Sequence, residues 1–231
     1  MRKSNELREI KIECNFLKFA SASVLYSQGN TKVLCCATFE NKVPPHLKNS
    51  GTGWLTAEYA MLPCAGNQRS NRAKMLTNGR TIEIQRLIGR SLRAVMDLSV
   101  LGENTIAIDC DVLQADGGTR TASISGAFIA VAKLVQKLLA ENVITKNPIK
   151  DQVAAISIGI VDEKPTLDLC YEQDLKASVD MNVVMTKAGK FVEIQGSGEE
   201  AVFDEEELSE LLKLAKSGIK KIIKKQDEVL K

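Results

Sequence analysis

One histidine, His46, serves all 231 residues. That scarcity excludes a His-rich metal site, and any Ser-His-Asp triad would have to use this residue, in the loop Pro44-Pro45-His46-Leu47. No nucleophile motif lies near it, so His46 reads as a loop residue. An enzyme built on this chain runs its proton chemistry on carboxylates, or its substrate supplies the nucleophile. The six cysteines, Cys14, Cys35, Cys36, Cys64, Cys110 and Cys170, form no C-x-x-C pair. Cys35 and Cys110 fall in apolar strand-like runs, where small buried thiols belong, and the set reads as reduced in a cytoplasmic protein. No segment is expected to reach the length of a transmembrane helix, and the charged start Met1 to Glu6 has no apolar signal core behind it. An excess of one charge is also missing. The net charge is only +2, so attraction to nucleic acid would have to come from a local patch. Neither G-x-x-x-x-G-K-S/T nor G-x-G-x-x-G after a strand occurs, which removes the P-loop and dinucleotide fingerprints.

What the chain does have is a short loop, Asp116-Gly117-Gly118-Thr119-Arg120-Thr121, between a strand-like run, Ile106 to Leu113, and a helix-like run, Ala122 to Leu139. A glycine pair at such a turn lets backbone N–H groups converge, and the helix start adds unpaired donors and a positive dipole end. Thr119 adds a hydroxyl and Arg120 a guanidinium. The natural guest is phosphate. The alternative is an ordinary helix-start turn with Arg120 paired to a neighbouring carboxylate.

Arginine favours the first reading. Seven of nine arginines lie between positions 69 and 120: Arg69, Arg72, Arg80, Arg86, Arg90, Arg93 and Arg120. The same window holds one of 22 lysines, Lys74. Arginine suits planar, bidentate contact with phosphate, whereas a surface made basic for solubility would mix the two residues. Arg86, Arg90 and Arg93 recur at i, i+4 and i+7 and share a helix face, which could equally be a solvated charged face.

Periodicity gives the frame. The first third reads as β: Leu7 to Cys14, then Ser23 to Tyr26 and Lys32 to Phe39 around a hairpin turn at Gln28-Gly29-Asn30, then Trp54 to Tyr59. Residues 63 to 79 read as an exposed arginine-bearing loop. A helix is expected from Ile82 to Leu98, a strand from Thr105 to Leu113, and the phosphate loop and its helix after that. Strands at 153 to 161, 166 to 170, 179 to 185 and 191 to 194 follow. A closing helix from about Glu205 to Lys225 has Asp204 as N-cap and Glu207 three residues on. The order predicts one compact α+β domain over 1–231, with two β-rich halves at about 1–140 and 150–231.

The second half supplies carboxylates. Asp180 interrupts an apolar strand-like run, and Asp174 precedes it by six residues, an even spacing that puts both on one face of an extended chain. Two oxygen ligands beside a phosphate pocket suit magnesium. Alternatively Asp174 caps a turn and Asp180 pairs with an arginine.

Five separated stretches closely resemble the ribonuclease PH family. They are Gly53 to Tyr59 with Met61-Leu62-Pro63, Gly79 to Val95, Ile108 to Ser123, Val179 to Thr186 and Val192 to Gly196. The resemblance spans nearly the whole chain. It implies a phosphate-dependent 3′-to-5′ exoribonuclease that trims transfer RNA precursors and other structured RNA 3′ ends, releasing nucleoside 5′-diphosphates in a reversible reaction. It implies inorganic phosphate at Arg80, Gly118, Thr119 and Arg120, and a catalytic, Mg2+-holding pair in Asp174 and Asp180. It also implies RNA contacts from Arg69, Arg72, Arg86, Arg90 and Arg93, and a homohexamer built as a trimer of dimers, in the cytoplasm and off the membrane.

The chain departs from the family at its start, where the usual R-x-D-G-R element is missing, at Cys64 where arginine is usual, and at Ala73 after Arg72 where glutamate is common. These touch RNA grip more than phosphate chemistry. Two other functions compete: a catalytically inactive RNA-binding ring subunit of an exosome-like assembly, and a small-molecule phosphotransferase using the same anion loop. The retained site residues argue against the first and the long arginine patch against the second.

Overall fold

A computed structural model describes residues 2–73, 78–199 and 201–231. Residues 74–77 of the expected arginine loop, Lys74 among them, lie outside the described residues, as does Met1.

The first sheet is built from β1 (Ile10–Cys14), β2 (Ala22–Gln28), β3 (Thr31–Glu40), β4 (Trp54–Met61) and β5 (Thr105–Gln114), in the order β1-β2-β3-β5-β4. Only the β4–β5 pairing is parallel. The expected hairpin between β2 and β3 turns at Gly29, with φ +59°. The second sheet contains β6 (Val153–Val161), β7 (Lys164–Leu167), β8 (Val179–Thr186) and β9 (Phe191–Gly198), all antiparallel, in the order β7-β6-β8-β9. The helices are α1 (Gly79–Arg93), α2 (Thr119–Ala140), the single turn α3 (Tyr171–Asp174) and α4 (Glu205–Val229).

The central element is α2. It packs on β2, β3 and β5 of the first sheet and on β6 and β8 of the second. Contact on both sides explains its apolar composition: 16 of its 22 residues are buried. A helix touched on one side only would show an apolar stripe instead. Gly126 lets α2 approach the first sheet, since a Cβ there would stand 2.8 Å from Tyr26 and from the Cys35 sulfur. The expectation that no segment could span a bilayer is corrected here. By length and composition α2 could, and it is instead a core helix with 78% of its most apolar stretch buried.

Two cores result. One joins the first sheet, α1, α2 and the inward residues Val153 and Ala155 of β6. The other joins the opposite face of β6, through Ala154, Ile156, Ile158 and Ile160, to α4. The period of two along one strand thus serves two layers. α4 starts where expected, with Asp204 accepting from Glu207 N–H (2.9 Å) and Glu207 accepting from Asp204 N–H (3.0 Å).

Several boundaries differ from expectation, and those around α1 and β7 have a visible cause. α1 runs 79–93 because the Asn78 side chain caps it by accepting from Thr81 N–H (2.7 Å). Beyond it, Asp97 N–H bonds to Pro148 O (2.7 Å) and diverts the chain into a 3-10 turn, Leu98–Leu101. The strand expected at 166–170 stops at Leu167, because Asp168 adopts φ +60° and turns its carboxylate toward Arg8. Asp174 lies on α3, not on an extended segment, so the even-spacing argument for the pair fails.

Candidate active site

Gly117 and Gly118 take φ +75° and +65°, and a Cβ on Gly117 would collide with the Leu169 carbonyl oxygen. Only glycine fits that turn. The loop carbonyls are all engaged away from the solvent. Asp116 O and Gly117 O accept from the Arg8 guanidinium and from Thr31 Oγ1 respectively, and Gly118 O accepts from Ala122 N–H (3.0 Å). Among the described residues no side chain caps α2 at Gly118. The first N–H groups of the helix are therefore left to an outside acceptor, at the positive end of a 22-residue helix.

Thr119 adds a directed donor. Tyr59 Oη donates to Thr119 Oγ1 (2.9 Å), which leaves the threonine proton to point elsewhere. Burial raises the Tyr59 pKa, with the Thr119 contact and the Arg80 and Arg120 charges pulling it back, so the phenol stays a donor. Arg120 is braced by Glu83 (3.4 Å) and Gln195 (3.2 Å). The carboxylate pairing considered as an alternative exists, but it holds one guanidinium nitrogen and leaves further N–H donors of the fork.

Arg80, Gly118, Thr119, Arg120, Asp174 and Asp180 line one cleft of about 570 Å³. Arg80, in the first turn of α1, has no hydrogen-bond or ion-pair partner among the described residues. The two carboxylates reach the cleft from different elements, Asp174 from α3 and Asp180 from mid-β8, opposite Gly159 and Ser197. Neither makes a side-chain hydrogen bond or ion pair among the described residues. Desolvation and then the Asp174 charge push Asp180 up to about 6, against the pull of Arg120 and Arg80. Asp174 is also raised, first by desolvation, with Arg80 and Arg120 opposing. A pair of repelling, unpartnered carboxylates is a donor set that a divalent cation would neutralise. Among the described residues no cluster of three or more His, Cys, Asp or Glu suits a metal, so a cation here would draw its other ligands from substrate and water.

The remaining arginines separate. Arg69, Arg72 and Arg86 are exposed, outside the cleft, and without a hydrogen-bond or ion-pair partner among the described residues. Arg90 forms a forked pair with Glu193 (2.7 Å). Arg93 donates to Leu55 O (2.9 Å) and lies over the Trp54 ring at 4.8 Å. Those two are engaged within the protein. His46 stacks edge-on against the same ring, as a loop residue would.

Sequence reasoning missed the supports. Arg8 donates to Asp168 Oδ1 (2.7 Å) while its backbone N–H bonds to Asp168 Oδ2 (2.7 Å), and Arg2 reaches Asp168 O (2.8 Å) and Gln173 Oε1 (2.9 Å). The residues Arg2 and Arg8 are therefore anchored to both the glycine loop and α3 without R-x-D-G-R. Ser157 and Tyr171 also line the cleft. The cue available for Ser157 was one hydroxyl in the apolar run Val153 to Val161.

The 3′ exoribonuclease family matches in both its parts, domain 1 over residues 6–135 and domain 2 over 151–218. The chain is 58% identical to ribonuclease PH of Bacillus pumilus over 231 residues, covering 99% of this chain and 96% of that one. It is 57% identical to ribonuclease PH of Bacillus subtilis over 232 residues, covering 99% and 95%. Among solved structures it resembles rice (Oryza sativa) Rrp46, with TM-score 0.81, 17% identity, and coverage of 100% and 98%. It is similar also to a chain of the Archaeoglobus fulgidus exosome with RNA bound to the active site, with TM-score 0.81, 22% identity, and coverage of 97% and 90%. Those two likenesses establish the fold; the family matches and the bacillar identities over almost every residue establish that this chain belongs to the ribonuclease PH family.

Proposed function

We propose that the chain is a phosphorolytic 3′-to-5′ exoribonuclease that trims transfer RNA precursors, with inorganic phosphate as nucleophile. The observation that carries this is the convergence of the α2 N-terminus, Arg80 and Arg120 with the Asp174–Asp180 pair in one cleft. Backbone N–H groups at 119–121, the Thr119 hydroxyl and the two guanidiniums bind the phosphate dianion and aim one oxygen at the terminal phosphodiester. That oxygen bonds to phosphorus as the bond to the penultimate O3′ breaks. The proton brought by the phosphate passes to O3′, and a nucleoside 5′-diphosphate leaves. No histidine is needed for this balance, and the reverse reaction uses the same groups. Asp174 and Asp180 would hold Mg2+, which supplies charge neutralisation at the scissile phosphodiester. Arg69, Arg72 and Arg86 bind the RNA backbone, and Arg90 and Arg93 hold the surface on which Arg86 stands.

We further propose a homohexamer, supported by exposed apolar side chains on α1 and β9, Ile82, Phe191 and Ile194, of the kind that subunit contacts cover. A cytoplasmic location fits six cysteines that are all free. The inactive ring-subunit reading is disfavoured because the whole predicted phosphate and carboxylate set shares the cleft. The test is degradation of a 3′-extended transfer RNA with Mg2+, with and without phosphate. Phosphate-dependent release of diphosphates is expected; release of monophosphates would make water the nucleophile and sink the proposal.

A further inference from the structure

We infer that Ser157 is a phosphate ligand, donating its hydroxyl to the inorganic phosphate held at the N-terminus of α2. The inference rests on the phosphorolytic reading and adds a residue to its anion site. Ser157 is 3% exposed, and its Oγ has no hydrogen-bond partner. Among the described residues five buried side-chain N or O atoms share that condition, and Ser157 Oγ is the one that lines the cleft.

Its direction follows from the strand. Val153 and Ala155 of β6 point at α2, where Ser125 Oγ accepts from Ala155 N–H (3.1 Å). Two residues further along the same face is Ser157. That step carries it toward the start of the helix, and its Oγ lies 3.8 Å from where a Cβ on Gly118 would stand. Thr121 Oγ1 (3.2 Å) and the Arg8 guanidinium (3.3 Å) flank the same point, so the hydroxyl sits against the polar groups that hold the glycine loop. Ser157 also stands opposite Asn182 on β8, two residues from Asp180, which sets it between the phosphate loop and the carboxylate pair.

A buried hydroxyl with no partner costs stability, on the order of 1–3 kcal/mol, and an alanine would avoid the cost. The hydroxyl therefore contributes nothing to the fold. The acceptor that compensates it lies outside the chain, and the adjacent site is built for an anion. Thr119 Oγ1, Ser157 Oγ and the helix N–H groups would then meet the phosphate from separate directions, which fixes its rotation as well as its position.

Ser157→Ala, with Ser157→Thr as the hydroxyl-retaining control, separates this from a structural role. Phosphate KM is expected to rise about 10- to 100-fold in the alanine variant, the range for a lost hydrogen bond to a charged group. Its KM for RNA is expected to be unchanged, and the threonine variant is expected to recover most of the phosphate affinity. Without phosphate, Tm of Ser157→Ala is expected to equal or exceed that of the unsubstituted protein. The Tm gain produced by inorganic phosphate alone is expected to shrink. An unchanged phosphate KM, an unchanged phosphate-induced Tm gain, or a Tm lowered in the absence of phosphate would each overturn the assignment. Failure of the underlying reading looks different, because then the unsubstituted protein itself shows neither phosphate-dependent diphosphates nor a phosphate-induced Tm gain.

Discussion

Asp180→Asn should make the metal-free protein more stable while abolishing its chemistry. Asp180 ionises in a place that disfavours charge, with desolvation acting first and the Asp174 carboxylate second. Moving a carboxyl from its ordinary value of 3.8 to about 6 makes ionisation costlier in the folded state than in the unfolded one. At about 1.4 kcal/mol per tenfold, the ceiling is roughly 3 kcal/mol. The cleft is open to solvent, and screening reduces that to about 1–2 kcal/mol. For a chain of this size each kcal/mol moves Tm by about 2–4 °C, so asparagine should raise Tm by roughly 2–8 °C at pH 8. The sign follows from linkage. The raised folded pKa means that stability is greatest below about pH 4 and declines as pH rises toward about 6, where the carboxylate charges. Asparagine removes that slope. The assay is thermal unfolding in chelator and in Mg2+, at pH 5 and pH 8. The unsubstituted protein should be stabilised by Mg2+ at pH 8, and the variant should start higher and gain little. A variant less stable than the parent in chelator would refute the picture of a repelling, unpartnered pair.

Three further outcomes are expected. Diphosphate release should fall as pH drops through about 6, because protonated Asp180 cannot hold a cation, and raising Mg2+ should move that midpoint lower; a midpoint indifferent to Mg2+ would contradict the role. Arg120→Ala should raise phosphate KM about 10- to 100-fold with little change in Tm, since the Glu83 left behind is 40% exposed and stays solvated; steady-state kinetics against phosphate check it. Arg8→Ala should destabilise by about 3–5 kcal/mol, because it leaves the Asp168 carboxylate, 2% exposed, without its main partner; denaturant unfolding measures it, and a loss below 1 kcal/mol would count against the clamp.

The elements easiest to read in the sequence were those whose pattern is local. The β2–β3 hairpin turns at Gly29, β6 runs from Val153 to Val161, and the Asp204 capping box starts α4, all as periodicity and capping chemistry indicate. The glycine turn before α2 was legible for the same reason, since Gly117 and Gly118 take the positive φ that glycine allows. What was not legible depends on distant partners. Asp174 reaches the cleft on a single helical turn that the extended-chain argument did not foresee, because α3 is tied to the phosphate loop through Tyr171 N–H and Asp116 Oδ1 (3.2 Å). The end of β7 is set by Asp168, whose partner Arg8 lies 160 residues away. The partners of Arg90 and Arg93 were not legible either, because spacing shows a shared face but not Glu193 or Trp54 beneath it. Ser157 is invisible for a related reason. In a fully buried strand one small polar residue resembles packing, and only the missing hydrogen bond sets it apart.

The most direct measurement is the fate of labelled inorganic phosphate during digestion of a 3′-extended transfer RNA with Mg2+. If phosphate held by Arg80, Gly118, Thr119 and Arg120 is the nucleophile, the label appears in the β-phosphate of every released nucleoside diphosphate, one per nucleotide removed. Nucleotides released without label, with oxygen from water in the new bond, would contradict phosphorolysis at this site.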